Sequence, residues 1–155
     1  MGARTSGREA ALQMLFAIEA SGTEPEAVIR DFWREVPGDA EGRGYADEVV
    51  RGVVVDLAAA DERIRAASTN WRLERMTRVD RNVLRVGAWE LLRRSEVPRP
   101  VIIDEAVELA KRYGTGDSGA FVNGVLDRIA DDCGRVDERA PLETAPVDPV
   151  PGEGS

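Results

Sequence analysis

The 155-residue chain contains no histidine, one cysteine (Cys133) and one lysine (Lys111). Without histidine there can be no Ser-His or Cys-His catalytic pair and no histidine-containing metal site. A single cysteine rules out an intramolecular disulfide. Long apolar runs are also missing, and none approaches the roughly 18 residues needed to cross a bilayer. The N-terminus, MGARTSGREAALQMLF, lacks the apolar stretch and small-residue cleavage site of a secretory signal, so cytoplasmic residence is the expectation. Carboxylate and lysine chemistry survive these exclusions, but an enzyme is the weakest of the readings. No cofactor or metal is called for.

What is present fits a globular chain: 43% apolar and 32% charged residues, with a net charge of −8. The charge is unevenly placed. Between Trp71 and Arg99 stand eight arginines against four acids, whereas beyond Arg135 there are five acids and one base. An acidic total does not exclude nucleic-acid binding, because the local field decides the footprint. Arginine in place of lysine suits bidentate phosphate contacts; a GC-rich coding bias accounts for most of it.

Helical signals recur from end to end. Ser6 and Glu9 have capping-box spacing ahead of Leu12, Leu15 and Phe16. Gly22 is a natural stop, and Thr23 with Glu26 repeats the cap spacing ahead of Val28, Ile29, Phe32, Trp33 and Val36. The longest helix is expected from about Arg43 through Ala67, on the period of Ala46, Val49, Val50, Val53, Leu57, Ala60 and Ile64. Thr77 and Asp80 cap the next helix, which buries Val79, Val83, Val86 and Leu91. Pro98 and Pro100 lead into Val101–Tyr113. Asp117 or Ser118 caps a last helix running to about Asp132. The expected fold is all-α with six or seven helices, one domain over residues 1–135, and a disordered, acidic, Pro/Gly-rich tail over 136–155.

Within the last helix, Asn123-Gly124 is unexpected, since mid-helix glycine costs about 1 kcal/mol relative to alanine. Two readings stay open: tight helix packing, or close approach of a ligand. The Gly114–Gly119 loop, GTGDSG, matches neither a protease nucleophile lacking its base nor a P-loop lacking its Lys-Ser/Thr pair. A helix-helix turn closed by a cap is the simpler account, and such a turn can also touch RNA through its N–H groups. Arg4 and Arg8 open the first helix. Arg78, Arg81 and Arg85 share a face, either as a ledge for phosphates or paired with acids such as Asp80 and Glu74. Asp104, Glu105 and Glu108 read as a solvated face pairing with Lys111 and Arg112. Phe16, Tyr113, Phe121 and Asn123 are candidates for base contacts, though each is individually more typical of core or cap.

Taken together, VDRNVLRVGAWELL (79–92), VIIDEAVELAKRYG (101–114) and DSGAFVNGVLD (117–127), with REAALQMLFAIE near the N-terminus, resemble the NusB family of transcription antitermination factors over about residues 4–133. The resemblance implies two small helical bundles packed together. It implies binding of boxA-type single-stranded RNA from ribosomal leader transcripts, jointly with the ribosomal protein NusE, within an RNA polymerase antitermination complex. On that basis Arg4, Arg8, Lys111, Arg112, Asp117, Ser118, Phe121 and Asn123 are the expected RNA contacts. Phe16, which replaces a tyrosine common in relatives, and Asp80 are expected to face NusE. Some members self-associate, so a homodimer is among the states the resemblance allows. Alternatives are a protein-only helical adaptor and a NusB-like RNA-binding module without antitermination activity.

Overall fold

The computed structural model describes residues 2–135, and the expected tail over 136–155 lies outside them. Seven α-helices and one 3₁₀ turn make up the described residues: α1 (Ala3–Ser21), α2 (Pro25–Glu35), α3 (Ala40–Val55), α4 (Leu57–Ala67), the turn Leu73–Arg75, α5 (Arg78–Arg93), α6 (Arg99–Tyr113) and α7 (Ser118–Asp132). The chain is all-α, as its periodicity indicates. None of the described helices is long and apolar enough to cross a membrane.

Several helix ends differ from the sequence reading. α1 begins at Ala3 with Gly2 at its N-cap, so Ser6 lies within the helix and caps nothing. Gly22 does end it, in the left-handed region at φ +70°. The cap of α2 is Glu24, whose carboxylate accepts from the Ala27 N–H; Thr23 instead donates its N–H to Ser21 Oγ. The long helix expected up to Ala67 is broken at Asp56, so α1, at 19 residues, is longer than α3 or α4. A short acidic side chain is a poor helix former, and this one is claimed from outside. Trp89 Nε1 donates to Asp56 Oδ2 at 3.2 Å and Arg93 Nε donates to the same oxygen at 3.0 Å. The Thr77 cap is as expected: Thr77 Oγ1 accepts from the Asp80 N–H.

Two hydrophobic clusters result. One gathers Ala11, Met14 and Leu15 of α1, Val28 and Ile29 of α2, and Tyr45, Ala46, Val49, Val50 and Val53 of α3. The other joins α4, α6 and α7 through Ile64, Ile102, Ile103, Leu126 and Ile129. Helix α5 belongs to both, sending Val86 and Trp89 to the first and Val83, Leu84, Ala88 and Leu91 to the second. That double duty explains why its burial runs almost unbroken from Asn82 to Leu91. Close crossings depend on glycine. A Cβ on Gly7 would lie 2.9 Å from Gly42 O, and one on Gly52 would lie 2.2 Å from the Trp89 ring.

A buried polar knot sits where the clusters meet. Arg8 and Glu90 are 3% and 1% exposed. Arg8 Nε donates to both Glu90 oxygens at 3.0 Å, and Nη2 lies 2.9 Å from Oε2. The Tyr45 hydroxyl donates to the same carboxylate, and Glu105 reaches Arg8 Nη1 at 3.4 Å. Burial and the Glu90 charge push the Tyr45 hydroxyl up to about 12. Burial by itself lowers the Arg8 pKa, yet the Glu90 hydrogen bond and charge leave it raised. Removing one member strands the other in the interior, at a cost of about 3–5 kcal/mol. Glu90→Leu is therefore expected to lose that much stability in urea unfolding, while Arg8→Met/Glu90→Leu recovers most of it.

Candidate nucleic-acid interface

The residues singled out from sequence fall into three groups in space. The first lies where the 68–77 connection meets the start of α7. Trp71, Arg75, Met76, Thr77, Asp80, Thr115, Asp117, Ser118 and Phe121 line a groove of about 400 Å³ there. Trp71 is 63% exposed. Its ring stands edge-to-face with Phe121, with centroids 6.2 Å apart and planes at 79°. Phe121 is half-buried against the second cluster, so it is partly core and partly groove wall. Asp117 is exposed and occupies the N-cap position of α7 without a side-chain cap bond.

Ser118 is not available to a ligand. It is 1% exposed, and its hydroxyl accepts the Thr115 N–H at 3.0 Å, closing the loop from within. The small size of Gly114 makes room for this, since a Cβ there would meet Ser118 Oγ at 2.4 Å. Neither Asp117 nor Ser118 provides the side-chain cap expected of them, because the hydroxyl serves the preceding loop instead.

The second group borders the first along α6 and α7. Lys111 is exposed, with only a 3.9 Å contact to Glu108, and its stem passes Gly119. Asn123 is exposed. A Cβ on Gly124 would meet nothing within 4 Å, which overturns the tight-packing account of the Asn-Gly pair. Arg112 turns away from Glu108, toward α1, and pairs with Glu9 at 3.0 Å. Tyr113 donates to Glu9 as well.

The third group is spread along α1. Arg4 is exposed, stacks 4.7 Å over the Tyr45 ring and lies 3.8 Å from Glu96. Arg8, expected beside it at an RNA surface, is the buried member of the central knot, and its guanidinium faces inward onto Glu90 and Glu105. Phe16 is 36% exposed, with the Arg78 guanidinium 5.7 Å from its ring. Asp80 lines the groove with Trp71 and Phe121.

The arginine ledge is largely spent as well. Arg81 Nη2 lies 2.6 Å from Glu19 Oε2, Arg85 Nε 2.8 Å from Asp61 Oδ1, and Arg78 Nε 3.6 Å from Glu19 Oε1. The partners are thus Glu19 and Asp61 on other helices, in place of Asp80 and Glu74 nearby in sequence. Arg81 also donates to Leu73 O and Met76 O, tying down the turn that carries Arg75 and Met76. Glu19, Trp71 and Arg75 received no role from sequence. Trp71 carried one signal, an aromatic among arginines in a helix break; Glu19 carried none, since its partners Arg81 and Asn82 lie 62 and 63 residues away. No cluster of His, Cys, Asp or Glu among the described residues could hold a metal ion.

Desolvation raises the Glu19 pKa, but hydrogen bonds from Asn82 and Arg81 outweigh it and hold the carboxyl below its ordinary value. A carboxyl depressed by folding contributes stability above its unfolded pKa and loses that contribution as pH falls through its folded pKa. Glu19→Gln is expected to flatten the acid limb of a stability-against-pH curve below about pH 4.5, measured by thermal melts.

A model of the NusB family matches residues 5–131. The chain is 75% identical over 137 residues to the transcription antitermination protein NusB of Sorangium cellulosum, covering 88% of this chain and 98% of that one. It is 50% identical over 128 residues to the protein of the same name in Anaeromyxobacter dehalogenans, covering 82% and 89%. Among solved structures, T. maritima NusB superposes with a TM-score of 0.77 at 39% identity, covering 93% of this chain and 97% of that one. A crystal structure of antitermination factors NusB and NusE in complex with dsRNA matches with a TM-score of 0.78 at 26% identity, covering 85% and 98%. Sequence and fold agree over nearly the whole described length, and the chain belongs to the NusB family.

Proposed function

We propose that this protein is a cytoplasmic transcription antitermination factor that binds boxA-type single-stranded RNA together with NusE, within an RNA polymerase antitermination complex, and that it acts by binding alone. The observation that carries this reading is the 75% identity, across almost all of both chains, to a protein named for that role. A relative crystallised with NusE and RNA has the same fold. The site chemistry is compatible. An exposed tryptophan, a half-buried phenylalanine and a polar loop suit unstacked bases, and Lys111 and Asn123 lie alongside.

The RNA face is assigned to Lys111, Asp117, Phe121 and Asn123, with Arg4 and Arg112 at its margins. Arg8 and Ser118 act from inside, by holding α1 and the 115–118 loop in place. The NusE face is assigned to Phe16 and the surface around it on α1 and α5. With so many guanidinium groups paired internally, a basic partner that adds positive surface accounts for RNA binding by a chain of net charge −8.

A titration of boxA-type RNA and a scrambled control, with and without NusE across a salt series, tests the reading. Tighter binding of boxA-type RNA, strengthened by NusE, is expected; equal affinity for both RNAs in both conditions would overturn it. Lys111→Ala should lower the salt slope by about 1 with little change in stability. Phe16→Asp should weaken NusE association while leaving RNA binding by the isolated chain unchanged, as read by calorimetry with each partner separately.

A further inference from the structure

A cleft of about 560 Å³ lies between the first turns of α1 and α3 and the end of α5. Three guanidinium groups line it, those of Arg4, Arg51 and Arg94, together with Tyr45 and the carboxylates of Glu41 and Glu48. Two of the three are firmly paired: Arg94 Nη2 lies 2.6 Å from Glu48, and Arg51 donates twice to Glu26, at 2.8 and 2.9 Å. Arg4 is held loosely. Its Nη2 reaches Glu96 at 3.8 Å, and its side chain is 44% exposed. The turn that carries it has no acid and no side-chain cap. The start of α3 packs alongside, since a Cβ on Gly42 would lie 3.3 Å from Ala3 O. Helix N-termini favour negative charge, and this one adds to the Arg4 guanidinium.

The chain's own acids emerge beside this cleft. Arg135, where the described fold ends, is pinned on three sides: Nη2 donates to Val97 O at 2.6 Å, Nη1 donates to Leu91 O at 2.9 Å, and its carbonyl accepts from Arg99. Val97 follows Glu96, whose carboxylate stands 3.8 Å from Arg4 and 3.5 Å from Arg94. Beyond Arg135 come Asp137, Glu138, Glu143, Asp148 and Glu153 against the single base Arg139. At about 3.3–3.6 Å per residue, the stretch to Glu143 spans up to roughly 26–29 Å, ample for the cleft. The other side of the exit repels acids, because Asp127 and Asp131 already front Arg99 at the negative end of α7.

We propose that the acidic segment 137–143 docks in this cleft as an intramolecular ligand of Arg4 and competes there with RNA phosphates. The docking stands by itself; the competition rests on the reading that the chain binds RNA. A tether this short keeps the carboxylates near Arg4 at an effective concentration of about millimolar. RNA held by phosphates alone has to displace them. RNA that gains affinity from base contacts near Lys111, beyond the far end of α6, can leave Arg4 to the tail. The segment thus acts as a filter against RNA without the right bases.

The test compares the full chain with a full-length variant carrying Asp137→Asn, Glu138→Gln, Glu143→Gln, Asp148→Asn and Glu153→Gln. In amide NMR spectra, neutralising the tail should shift residues in the first turns of α1 and α3, and about 1 M salt should remove the difference. Arg4→Gln in the parent should shift residues 137–143 in return, while Arg4→Lys should shift them less. The neutralised variant should bind scrambled RNA about fivefold tighter than the parent at low salt, with a smaller gain for boxA-type RNA. Arg4→Gln should erase both gains. If no first-turn amide moves, the docking is wrong whatever RNA does. If the gain persists unchanged in Arg4→Gln, the tail repels RNA from a distance and the cleft assignment fails. If parent and variant bind RNA equally, the competition fails while the RNA reading stands. If neither binds RNA with or without NusE, the RNA reading falls with the competition, and the amide shifts alone decide the docking.

Discussion

The Arg8–Glu90 ion pair is the constraint around which the rest of this fold is arranged. Two charges are held in an interior where each costs several kcal/mol to desolvate. They are held there by close pairing: a guanidinium on one side of the carboxylate, a tyrosine hydroxyl on the other, and a second carboxylate at Glu105. The members come from α1, α3, α5 and α6, so the knot fixes the register of both clusters at once. An apolar seam of the same volume would give cohesion but would tolerate sliding. A charged, hydrogen-bonded seam has one arrangement that works and is penalised in every other.

That arrangement determines what remains for the surface. The stretch from Trp71 to Arg99 looks like a cationic patch in one dimension. In three dimensions Arg81 and Arg85 close onto Glu19 and Asp61, and Arg99 reaches Asp127 and Asp131. Such pairs join helices distant in sequence and neutralise much of the positive charge of this stretch. What stays open at the surface are groups that are hard to pair internally: the Trp71 indole face, the Asn123 amide on an exposed helix face, and Lys111 with one long contact. Base stacking and edge reading act at short range and survive salt better than a field of arginines would.

How much of this could be read from the sequence depended on the range of the interaction. Helix existence was legible because it rests on period and local breakers: Gly22, the Pro98–Pro100 pair and the Thr77 cap are local events. The Asp56 break was not legible, because its cause is Trp89 and Arg93, more than 30 residues away. The same limit misplaced Arg8. Near the N-terminus, in an arginine-bearing segment, it looks like a surface cation, and only Glu90, 82 positions on, makes it core. Ser118 failed for a related reason. Its position before a helix suggests a cap, but Gly114 lets it turn back and close the loop instead. The placement of Asp117 at the start of α7, and of Phe121 and Asn123 within it, was legible because loop and helix bounds are local properties of the sequence. Trp71 needed the fold to bring it against Phe121.

Arg81 connects the two faces assigned to different partners. One side of its guanidinium is paired with Glu19 on α1, one turn beyond Phe16. The other side holds the carbonyls of Leu73 and Met76, the turn from which Arg75 and Met76 enter the groove. Glu19 also takes Asn82 and the edge of Arg78, whose guanidinium lies over the Phe16 ring. Any protein that docks on Phe16 must therefore meet Arg78 and, through Glu19, the support of the groove. Coupling between the two faces need not involve a large motion. Rigidifying Glu19 and Arg81 removes freedom from the turn, and a second ligand entering the groove then has less ordering left to do. Positive coupling of this kind is reciprocal, so RNA held against Trp71 would tighten the protein face by the same factor. The internal pairing that removed the arginine ledge thus gives the molecule a physical link between its surfaces.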